Sequence, residues 1–118
     1  SIPSSVDLQI LSELKKFDSM SEGKRIAVQS NIGPLFQREK LQWYLQNEGQ
    51  PCGMESHIYS IRSIPVEYVV LVPQLGHYGI IDMNLCLKDL SINAQAIKVS
   101  GFDHLVVYKR INNIKPTN

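Results

Sequence analysis

At 118 residues, the chain suits one domain, and at that size roughly 65% of the unfolded surface can be buried without disulfide staples. Its 43% apolar and 19% charged composition is ordinary for a globule, and a net charge of +1 excludes a global electrostatic footprint for nucleic acid or an acidic membrane. No apolar run approaches the ~20 residues of a transmembrane helix, and no signal peptide is visible.

In chain order, "SSVDLQILSELKKF" places Val6, Ile10, Leu11, Leu14 and Phe17 at helical spacing, with Ser4 and Asp7 at capping-box distance. "RIAVQ" reads as the first strand. Gly33-Pro34 signals a helix start, and the spacing predicts a helix over 34–48 that stops at Gly49. "CGMESHIYSI" reads as a second strand, and "VEYVVLV" as a third, apolar enough to be buried on both faces. "IIDMNLCLKDL" reads as a helix, "AQAIKVS" as a fourth strand and "DHLVVYKRINNI" as a final helix. Strands alternating with helices predict an α/β fold: a four-stranded parallel sheet with helices on both faces, in a Rossmann-like three-layer arrangement, plus an N-terminal extra helix. Residues 1–22 are expected to form a linker or capping helix, and 23–118 the main domain. The chain opens on Ser1 rather than Met, which leads to the expectation that it is a piece of a longer protein.

Ligands of such sheets sit at the carboxyl ends of the strands. That brings the loop Gln29, Ser30, Asn31, Gly33 towards the loop Pro73, Gln74, His77, Tyr78. A strand-loop-helix start is a common anion cradle, yet this loop holds no Cys, His, Asp or Lys. His57, His77 and His104 lack any paired ligand spacing, so no metal and no cofactor is expected. Cys52 and Cys86 read as buried free thiols. Asp18, Glu22 and Asp82 form no close carboxylate pair for acid–base catalysis. Trp43 and Tyr44 read as core and rim residues, or as an aromatic anchor for a partner.

The run "VEYVVLVPQLGHY", with Pro73, Gln74 and Tyr78, resembles the third strand and loop of the lactose/cellobiose-type enzyme IIB of the bacterial sugar phosphotransferase system. The resemblance covers about residues 24–114. It implies a phosphorylatable Cys at the end of the first strand, where this chain has Gln29. A Gln is neither ionisable nor nucleophilic, so the resemblance implies a degenerate, non-catalytic domain. Such domains stand at the C-terminal ends of Mga/AtxA-type and LicR-type regulators that carry phosphotransferase-regulation domains. That implies a cytoplasmic regulatory domain, with self-association or phosphotransferase system proteins as partners, and DNA contacted only through other domains. The leading helix, with Ile10, Leu14 and Phe17, is one expected association surface; His77 and Tyr78 form a second. Two alternatives remain: a working phosphocarrier using Cys52 or His77, and an unrelated small-anion-binding α/β module.

Overall fold

The computed structural model describes residues 4–45, 66–75 and 96–110. Its first element is α1 (Ser5–Met20). The Ser4 hydroxyl accepts from the Asp7 amide at 3.1 Å, and the Asp7 carboxylate accepts from the Ser4 amide at 3.3 Å, closing the expected capping box. Ile10, Leu14 and Phe17 recur on one face and are buried against the sheet.

Five strands follow: β1 (Ile26–Gln29), β2 (Gln42–Leu45), β3 (Tyr68–Leu71), β4 (Ala96–Lys98) and β5 (Val106–Arg110). They form one sheet in the order β2-β1-β3-β5-β4. β1 runs parallel to both β2 and β3, with Val28 opposite Tyr44 on one side and Val70 on the other. β5 runs antiparallel to β3 and to β4. The core joins α1 to one face of this sheet: Ile10, Leu14 and Phe17 pack with Ile26, Val28, Val70, Val72, Leu105 and Val107. β1 is buried throughout and β3 is buried from Val69 on, with Val28, Val69, Val70 and Leu71 completely so, as the apolar run "VEYVVLV" predicts.

Three expectations are corrected. The sheet is mixed and five-stranded among the described residues, not four-stranded and parallel. The reason lies in "VSGFDHLVVYKR", which folds as a hairpin. Gly101 adopts φ +97°, which lets the 99–105 segment turn back sharply, and the Val-Val-Tyr run that follows is a better strand former than helix former. The predicted helix over 34–48 is likewise absent from its described part. Residues Ser30–Leu35 form a 3₁₀ helix with Pro34 inside it, the chain then turns through positive φ at Gln37 and Lys40, and "QWYL" becomes β2. Finally, Ile10, Leu14 and Phe17 are no association surface, because they are spent in the chain's own core. The predicted strand at "CGMESHIYSI" and helix at "IIDMNLCLKDL" lie outside the described residues, and among the described residues α1 covers one face of the sheet.

Candidate functional site

β1 and β3 are parallel neighbours, and the chain leaves β1 towards β2, on the far side from β3. That divergence is the topological switch point, where an open α/β sheet leaves a crevice outside its carboxyl ends. Two short 3₁₀ helices border it, Ser30–Leu35 after β1 and Pro73–Leu75 after β3. The two loops expected to be neighbours from sequence are neighbours.

What fills the crevice is side-chain amide. Gln29, the last residue of β1, is fully buried, and its Oε1 accepts from the Val72 amide at 3.0 Å. Asn31, exposed one turn above, donates from Nδ2 to the Leu75 carbonyl at 2.7 Å. Both bonds span the gap between the β1 and β3 ends and tie it shut. The Gly33 carbonyl is also engaged: it accepts from Gln42 Nε2 at 2.9 Å and from the amides of Phe36 and Gln37. Ser30 opens the first 3₁₀ helix, Pro73 is half-buried and Gln74 is exposed. His77 and Tyr78 lie outside the described residues. The long α-helix whose aligned N–H groups would cradle a phosphate is replaced here by six residues of 3₁₀ helix.

Elsewhere on the sheet, ionic contacts join residues too far apart in the chain for spacing to reveal them. Arg38 reaches back over the end of α1 and donates to the carbonyls of Asp18, Ser21 and Lys24, to the Ser21 hydroxyl and to the Asp18 carboxylate. Glu13 on α1 meets His104 in the 99–105 turn, with His104 Nδ1 2.7 Å from Oε2. Glu67, just before β3, accepts from the Arg25 amide at 2.7 Å and from its guanidinium Nη2 at 3.1 Å, pinning the entry of β1 to that of β3.

Burial alone would raise the Glu67 carboxyl, but the hydrogen bonds and charge of Arg25 outweigh it and hold the carboxyl below its ordinary range. A depressed carboxylate contributes stability above its unfolded pKa of about 4.3 and loses it as pH falls through the folded value. Glu67→Gln should therefore melt below the native chain at neutral pH, and the gap should close as pH falls below the ordinary carboxylate range of about 4.3. Thermal melts across that range check it; a gap that is constant with pH would show that the carboxylate's charge contributes nothing.

Among the described residues, no cluster of three His, Cys, Asp or Glu side chains could hold a metal ion, and no helix is long and apolar enough to cross a membrane. No protein-family model, curated protein or solved structure matches the chain.

Proposed function

We propose that this chain is a non-catalytic domain that works by contact with other proteins, and that its strand-end loop is retained as architecture. The observation that carries this reading is Gln29. Its amide is buried and spent on holding the β3 backbone, at the position where a phosphate-transfer loop needs an exposed nucleophile. Asn31 repeats the bridge one turn further out.

Under the resemblance to enzyme IIB, the domain is a degenerate member placed in a bacterial regulator with phosphotransferase-regulation domains. Its partners are then a second copy of the regulator or the phosphotransferase system proteins. The Pro73-Gln74 run supports that assignment, and the antiparallel β5 departs from the all-parallel sheet it implies. With Ile10, Leu14 and Phe17 buried, the large apolar groups left for contact on the described surface are Val6, Leu8, Leu11 and Met20 on α1, Leu35 in the first 3₁₀ helix and Ile97 on β4.

The test is incubation with phosphoenolpyruvate, enzyme I and the histidine phosphocarrier protein, followed by mass spectrometry. The expected result is no phosphoryl adduct on any residue. An adduct formed at the rate of a working phosphocarrier would overturn the reading and locate the nucleophile. Gln29→Cys is expected to stay unphosphorylated as well. It removes the acceptor for the buried Val72 amide and should cost about 1–3 kcal/mol in urea unfolding.

A further inference from the structure

α1 holds the β4–β5 hairpin through two side chains one turn apart, Glu13 and Lys16, which share a helix face. Glu13 Oε1 accepts from the backbone amides of Asp103 at 2.7 Å, His104 at 2.9 Å and Leu105 at 3.3 Å, while Oε2 faces His104 Nδ1. Lys16 Nζ donates to the Gly101 carbonyl at 2.7 Å and stands 4.7 Å from the centre of the Phe102 ring. A Cβ at Gly101 would meet Lys16 Nζ at 3.0 Å, so the turn is fitted closely around the lysine.

Three convergent backbone N–H donors need an acceptor that only accepts. An ionised carboxylate does so with both oxygens; a protonated one turns an oxygen into a donor and loses the charge that strengthens every bond it accepts. Among the described residues, His104 is the titratable side chain in contact with Glu13; Lys16, one turn further along α1, is engaged by the Gly101 carbonyl, and Asp103 meets Glu13 through its backbone amide. The cluster beneath, among the described residues, is apolar and includes Leu14, Phe17, Leu105 and Val107.

We propose that Glu13 is an acid-released latch: its protonation frees the 99–105 turn from α1 while the β1–β3 centre of the sheet stays folded. Burial raises the Glu13 carboxyl, but the N–H donors of His104, Leu105 and Asp103 outweigh it and set the carboxyl below its ordinary range, so the latch stays closed at neutral pH and opens in acid.

Amide hydrogen exchange by NMR on the whole chain tests this. As pH falls through the Glu13 titration, protection at Asp103, His104 and Leu105 should drop by about tenfold or more, while Ala27, Val28 and Val70 change by less than about threefold. Glu13→Gln should show the same selective loss at neutral pH, and Glu67→Gln should not. Uniform loss across turn and centre, or full protection of the turn in acid or in Glu13→Gln, would overturn the proposal. Should Glu13→Gln fail to fold, the acid series is run on Glu67→Gln, which removes the other depressed carboxylate, and its turn-against-centre contrast decides.

Discussion

Phe17→Ala is expected to cost about 3–5 kcal/mol, the largest loss for any single truncation in the described core. Phe17 is completely buried, and its ring lies edge-on to Phe36 at 5.7 Å and to Tyr68 at 5.9 Å. The residue therefore joins three separate pieces of chain: α1, the turn before β2, and β3. Truncation removes the aromatic pairings along with the buried area and leaves a void between helix and sheet. Since domains are held by only about 5–15 kcal/mol, the variant should be largely unfolded or on the edge of it. Leu11→Ala, on the same helix but 42% exposed, should shift stability by no more than about 0.5 kcal/mol. Urea unfolding of both variants measures the contrast. Equal losses would mean that α1 docks by a different face.

Arg38→Ala is expected to cost about 2–3 kcal/mol. The contact with Asp18 adds little by itself, because that carboxylate is more than half exposed and such pairs are worth about 0–1 kcal/mol. The larger share is backbone. α1 has no basic residue in its last turn; the Phe17 and Ser19 carbonyls accept from Ser21 and Glu22, but the Asp18 carbonyl would otherwise have to find water. The Arg38 guanidinium, with a side chain only 10% exposed, supplies donors to the Asp18 and Ser21 carbonyls and places positive charge at the helix's negative end. Its planar fork serves several acceptors at once. Arg38→Lys should therefore recover less than half of the loss, since an ammonium on a flexible stem cannot span them. Urea midpoints of the two variants give the comparison; full rescue by lysine would reduce the interaction to charge alone.

How far the sequence exposed this fold depended on whether a signal was local. The capping residues Ser4 and Asp7, the apolar face Ile10-Leu14-Phe17 and the buried run at Val69–Leu71 all write their structure into neighbouring positions, and each was legible. The placement of the two loops at the β1 and β3 ends followed from parallel pairing alone and was legible too. The direction of β5 is hidden because "DHLVVYKRINNI" reads as one final helix, and the reversal that makes it a strand depends on Gly101, just ahead of it. The helix that Gly33-Pro34 predicts does not form in its described part, because the proline sits inside a short 3₁₀ helix and the aromatic pair Trp43-Tyr44 belongs to a strand. Gln29 was recognised as chemically inert, but its bond to Val72 joins residues 43 positions apart and left no trace in spacing. The same holds for Arg38 over the end of α1 and for Glu13 in the 99–105 turn.

The claim that position 29 is a sealed structural bridge has a direct measurement. Gln29→Cys is prepared together with Cys52→Ser and Cys86→Ser, and the rate at which its single thiol reacts with an aromatic disulfide reagent is followed in native buffer and in denaturant. A buried thiol in apolar surroundings is inert, so the native rate should be slower by about a hundredfold or more, and the reaction should follow the urea unfolding curve. A native rate matching the denatured one would contradict the account, because it would mean that the end of β1 opens to solvent as a reaction centre must.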